Sequence, residues 1–104
     1  MKRLRLNATT GVAPSAYGSN VYLRLHSEHD RSLSSERLFA AATLRAAAAI
    51  EEQMLEQSTC AICVDEHEGR IHLEFGSDAS QAEQDAGRAV LDAVAGSINR
   101  KGRS

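Results

Sequence analysis

The chain has 104 residues, 42% of them hydrophobic, and 12 Lys and Arg against 14 Asp and Glu give it a formal net charge of −2. That length allows one domain with a modest core. The charge excludes a strongly basic nucleic-acid binder and leaves room only for a local cationic patch. With two Phe, two Tyr and no Trp, the core must be built from Leu, Val, Ile and Ala, whose small side chains let elements approach closely.

No apolar run reaches the roughly 18 residues of a membrane span. The opening MKRLRLNATTG alternates basic residues with Leu and does not enter the apolar stretch of a secretory signal. Two cysteines without a disulfide framework fit a reducing compartment. The expectation is a cytoplasmic protein with no membrane attachment, one domain over residues 1–104, and a basic, flexible tail at 100–104.

In chain order, residues 2–8 alternate Lys2, Leu4, Leu6 and Ala8 against Arg3, Arg5 and Asn7, the period of a half-buried strand. Residues 9–20 hold Gly11, Pro14 and Gly18 among small polar residues and read as a loop. A loop of about twelve residues is long for a hairpin and often functional, with Tyr17 as its contact point. Residues 21–27 alternate again, Val21, Leu23 and Leu25 against Tyr22, Arg24 and His26.

A long helix is predicted over residues 34–57, rich in Ala, Leu, Glu, Gln and Arg and free of Gly and Pro. Ser34 is its expected N-cap, and Leu33 with Leu38 its hydrophobic staple.

Residues 60–65 and 71–75 read as a hairpin turning at 67–70, with Gly69 supplying positive φ. Pairing across Glu68 and Gly69 sets Val64 opposite Leu73 and Ile62 opposite Phe75 on one face. The same register sets Asp65 opposite His72 and Cys63 opposite Glu74 on the other.

A second helix over 80–99 opens with the capping box Ser80 to Glu83, against a competing start at Asp78. Its core stripe is Val90, Leu91, Val94 and Ile98. A stripe of small residues, Ala82, Ala86, Ala89, Ala93 and Gly96, is expected to face Ala42, Ala46 and Ala49 of the first helix. Such a seam would bring the helix axes to about 8 Å.

The fold class is α+β: ββαββα in order, a two-layer α/β sandwich with a four-stranded, mostly antiparallel sheet and both helices on one face. Strand order 2-1-3-4 would make every neighbouring pair antiparallel.

The sheet face away from the helices then carries Arg3, Arg5, Tyr22, Arg24, His26, Cys63, Asp65, His72 and Glu74. Much of it is what any solvated antiparallel face carries, yet Arg and Tyr are also the side chains enriched at interfaces. Cys60-Ala-Ile-Cys63 and His26-Ser-Glu-His29 together supply the donors of a Cys2His2 zinc site. Their placement argues against one, because the pairs fall at opposite ends of parallel-running strands, roughly 15–20 Å apart for five or six residues. Asp65 beside His72 resembles a carboxylate orienting a general base, with Cys63 or Tyr22 as the nearby nucleophiles. A flat four-stranded face, however, offers no substrate cavity, and a surface ion pair explains the pairing.

The functional expectation is a small non-enzymatic protein-interaction module, an adaptor, regulator or inhibitor, forming a homodimer and using no metal or other cofactor. Its partner-binding residues are Arg3, Arg5, Tyr17, Tyr22, Arg24, His26, His72 and Glu74. Two other classes stand beside it. One is a metal- or thiol-dependent protein using Cys60, Cys63, His26 and His29. The other is a single-stranded nucleic-acid binder, in which Tyr22 would stack a base among Arg3, Arg5 and Arg24.

Overall fold

The computed structural model describes residues 5–15, 18–27, 33–54, 60–76 and 78–102. The elements are β1 (Leu6–Ser15), β2 (Gly18–Ser27), α1 (Leu33–Met54), β3 (Cys60–Asp65), β4 (Arg70–Phe75) and α2 (Gln81–Gly102). Four strands form one sheet in the order β1-β2-β4-β3, with every neighbouring pair antiparallel. Both helices pack on one face, giving the two-layer ββαββα sandwich. No helix among the described residues is long and apolar enough to cross a membrane.

The core lies between the layers. Val21, Leu23 and Leu25 of β2 and Ile71, Leu73 and Phe75 of β4 are buried beneath Phe39 and Ile50 of α1 and Leu91 and Val94 of α2. Alternation alone predicts these strand faces. The polar exception is Thr43, fully buried, whose hydroxyl donates to the Phe39 carbonyl one turn back at 3.0 Å and so leaves no bare polar atom.

The strand order differs from 2-1-3-4, and Pro14 accounts for β1 lying at the edge. Residues 9–20 are not a loop: β1 runs on to Ser15 and β2 starts at Gly18, with these two residues paired. Proline has no N–H to donate and within sheets is confined largely to edge strands, so a β1 that contains Pro14 takes the edge. The outer edge is partly closed by α2. Ala8 N–H donates to Asn99 Oδ1 at 2.7 Å and Asn99 Nδ2 donates to the Ala8 carbonyl at 3.1 Å, an amide standing in for a neighbouring strand. Thr10 Oγ1 donates to Asp92 Oδ1 at 2.6 Å two residues on.

The second hairpin is also shifted. Cys63 pairs with His72, Ile62 with Leu73, Val64 with Ile71 and Asp65 with Arg70. The expected faces survive because the slip is by two residues, one full period. The cause is the turn, which spans residues 66–69. Asp65 Oδ1 accepts from the N–H groups of His67 and Glu68, both at 3.2 Å, an Asx-type closure. Gly69 then adopts φ 71°, and its carbonyl accepts from the Leu25 N–H of β2 at 2.8 Å.

α1 begins at Leu33, which puts Ser34 inside the first turn and not at its cap; residues 55–57 lie outside the described residues. Ser80 caps α2 as expected, its Oγ accepting from Glu83 N–H at 3.1 Å. The helix continues to Gly102, so most of the expected tail is helical, and Arg100 and Lys101 in its last turn suit the negative end of the helix dipole.

The expected tight helix–helix seam is open. Ala42, Ala46 and Ala49 face Ala93 and Val94 across a groove of about 500 Å³, while Ala82 and Ala89 are exposed. The close approach is instead between helix and sheet. Gly87 lies so near β4 that a Cβ there would stand 2.6 Å from the Phe75 ring.

Candidate functional site

The face opposite the helices is left uncovered, and pairing arranges it in three cross-strand rows. Thr9, Arg24, Arg70 and Asp65 form the first. Gly11, Tyr22, His72 and Cys63 form the second, and Ala13, Asn20, Glu74 and Ala61 the third. The face is not flat. Thr9, Asn20, Tyr22, Arg24, Arg70 and His72 line a concavity of about 410 Å³, within the size range of small-ligand and side-chain pockets. The lengthened β1–β2 hairpin supplies its wall, since long paired strands carry the sheet twist further. Gly11 sets the shape locally: the Tyr22 phenol lies across it, and a Cβ at that position would stand 2.6 Å from the phenolic oxygen.

Arg24 and Arg70 are directly opposite each other on the two central strands. Like charges in that relation repel. Glu68 offsets part of this at 3.6 Å from Arg24 Nη2, but both side chains are substantially exposed, 40% and 59%, so the pair contributes little. The Arg24 Nε is buried and meets no hydrogen-bond acceptor among the described residues. The centre of the face therefore presents cationic donors with unused capacity.

His26 closes one end of the concavity, its Nε2 3.0 Å from Thr9 Oγ1. At the β3 side, His72 Nε2 lies 3.3 Å from Glu74 Oε1. Cys63, His72 and Glu74 bring sulfur, nitrogen and oxygen donors within 4.8 Å of one another. Burial, and after it the charge of Glu74, push the Cys63 thiol above its ordinary range; burial alone does the same to Cys60. A thiol so held carries little thiolate near neutral pH, the opposite of an activated nucleophile.

Of the expected binding residues, Tyr22, Arg24, His26, His72 and Glu74 share this face. Arg5 is exposed just before β1, outside the paired rows. Arg3 and Tyr17 lie outside the described residues, and the loop meant to present Tyr17 is strand on both sides of it. The Asp65–His72 dyad does not form, because Asp65 is opposite Arg70 and spends a carboxylate oxygen on the turn. The four-donor zinc arrangement is not assembled either. Cys60 packs against the core and Cys63 faces the open side, His26 sits at the other end of the sheet bonded to Thr9, and His29 lies outside the described residues.

Arg70 is the residue that sequence reasoning missed, having been assigned to the turn. The signal was Asp65 itself: an Asp opening a turn takes its own downstream N–H groups, which moves the turn back and delivers Arg70 to the strand. Compared with protein-family models, curated proteins and solved structures, the chain gives no match, and the geometry of this face is what speaks to function.

Proposed function

We propose that the protein is a small non-enzymatic interaction module that holds an acidic segment of a partner protein against its open sheet face. The observation that carries this reading is the Arg24–Arg70 pair, two arginines at directly opposed positions of the central strands, one with a buried Nε that meets no acceptor among the described residues. A carboxylate accepts two parallel N–H bonds from a guanidinium, and one placed between these two would relieve their repulsion and complete the buried donor. Tyr22 over Gly11 adds an amphipathic surface of the kind interfaces favour.

A second copy of this chain is one such partner. Asp65 and Glu68 border the Arg pair, and a two-fold axis would set the acidic edge of one copy on the basic centre of the other. Single-stranded nucleic acid is less well served, since Tyr22 is the one Phe, Tyr or Trp on this face among the described residues and stacking platforms use several such rings.

Titration of isotope-labelled protein with a Glu-rich peptide, with an oligonucleotide as comparison, tests the reading. The peptide should shift amide resonances of β2 and β4, with affinity falling as salt rises. The double substitution Arg24→Glu with Tyr22→Ala should abolish those shifts. Binding that survives the double substitution would remove the surface assignment, and a response confined to the oligonucleotide would move the protein to the nucleic-acid class. Sedimentation across protein concentration and salt decides whether the partner includes a second copy.

A further inference from the structure

At the β3 edge of the open face, away from the Arg pair, three side chains with different donor atoms converge. Cys63 and His72 are opposed across β3 and β4, and Glu74 follows His72 by one strand period, so all three leave the sheet on the same side. Their donor atoms lie within 4.8 Å of one another, and the His72 ring nitrogen is 3.3 Å from Glu74 Oε1. Around tetrahedral zinc, with metal–sulfur near 2.3 Å and metal–nitrogen or metal–oxygen near 2.0–2.2 Å, ligand atoms stand roughly 3.3–3.7 Å apart. Closing the remaining distance takes about an ångström of side-chain adjustment, within reach of rotamer changes at a partly exposed site.

We infer that Cys63, His72 and Glu74 form a binding site for a borderline-soft divalent cation, zinc in the first instance, with a fourth coordination position open to solvent. The donor set makes the choice of ion. Thiolate with imidazole disfavours magnesium and calcium, which take oxygen, while zinc accepts sulfur, nitrogen and oxygen together. Three protein ligands plus one open position is the stoichiometry of zinc sites that bind an exchangeable fourth group, in contrast to the closed four-ligand structural sites.

This site adjoins the surface proposed above, with His72 lining both, but it does not rest on that reading. Arg24, Arg70 and Tyr22 take no part in it, and either proposal can fail without the other.

The test is cobalt(II) titration of untagged, metal-free protein followed by absorption, with zinc affinity from calorimetry. The expected result is one equivalent of cobalt, thiolate-to-metal charge transfer in the near ultraviolet, intense visible bands of tetrahedral cobalt, and displacement by zinc. Cys63→Ser should remove the charge-transfer band and weaken zinc binding by about a hundredfold or more; Glu74→Gln should weaken it by roughly ten- to a hundredfold, since even outer partners of metal ligands cost that much. Cys60→Ser should leave both readouts in place. The Glu74 side chain is 52% exposed, so Glu74→Gln keeps the test decisive should Cys63→Ser disturb folding. Absence of saturable binding, a charge-transfer band that survives Cys63→Ser, or one lost in Cys60→Ser would overturn the site.

Discussion

The two faces of the sheet are built from the same four strands and obey opposite rules. On the helix side, Leu23, Leu25, Ile71 and Leu73 are almost fully buried, and Thr43, the buried polar residue among those described, is paired through its hydroxyl. On the open side, two Arg residues are set opposite each other, a buried guanidinium nitrogen meets no acceptor among the described residues, and a thiol, an imidazole and a carboxylate lie close together. The difference separates what holds the fold from what the fold holds out to other molecules. Burial of apolar area stabilises the first face, by about 1.5–3 kcal/mol for each large side chain. The second face buries no large apolar side chain among the described residues, and its opposed arginines and clustered donors are what the two proposals above build on.

That contrast can be broken by substitution. Leu73→Ala, at a fully buried position on a central strand, should lower unfolding free energy by about 2–5 kcal/mol in chemical denaturation. A loss below about 1 kcal/mol would mean the layer packs less tightly than its burial indicates. Gly87→Val should cost about 1–3 kcal/mol in the same assay, because the new side chain meets the Phe75 ring. Full retention of stability there would show that α2 can withdraw from the sheet.

Arg70→Ala sharpens the comparison from the other side. Its stability should stay within about 0.5 kcal/mol of the parent or rise slightly, since an exposed residue is lost and a like-charge neighbour of Arg24 with it. Binding of the acidic peptide should weaken at least severalfold. A substitution that destabilised the fold and left binding intact would reverse the roles assigned to the two faces.

The smallest effect concerns Cys60, whose thiol burial pushes up. Its folded pKa exceeds its unfolded value, so the neutral thiol is the form folding favours. That contribution is complete below the unfolded pKa and is lost as pH rises through the folded one. Stability should fall slightly more at alkaline pH in the parent than in Cys60→Ala, read from denaturation midpoints across that range.

Much of the helix-side face was legible in the residues. Alternation at Val21 to His26 and at Ile71 to Phe75 marks which side chains are buried, and Val90, Leu91, Val94 and Ile98 mark the inward stripe of α2. Ser80 announced its helix. The open face was legible as a set of residues but not as an arrangement. Gly11, Pro14 and Gly18 carry turn chemistry that outweighed the continuing alternation through Ala13, so a paired strand was read as a loop. A turn over residues 67–70, centred between Glu68 and Gly69, neglects the Asp65 carboxylate and hides the Arg24–Arg70 and Cys63–His72 neighbours.

Local periodicity therefore determined the order of the elements and, outside residues 9–20, the side to which their residues point, because those depend on the geometry of a single strand or helix. Only the tertiary structure decided strand order, register and the concavity. A slip of two residues or an exchange of strands leaves every apolar side chain on its own face, so the hydrophobic pattern is blind to both. What distinguishes the alternatives is non-local: Pro14 tolerated at an edge, Asn99 completing the backbone of Ala8, and the Asp65 turn fixing which residue of β4 meets Cys63.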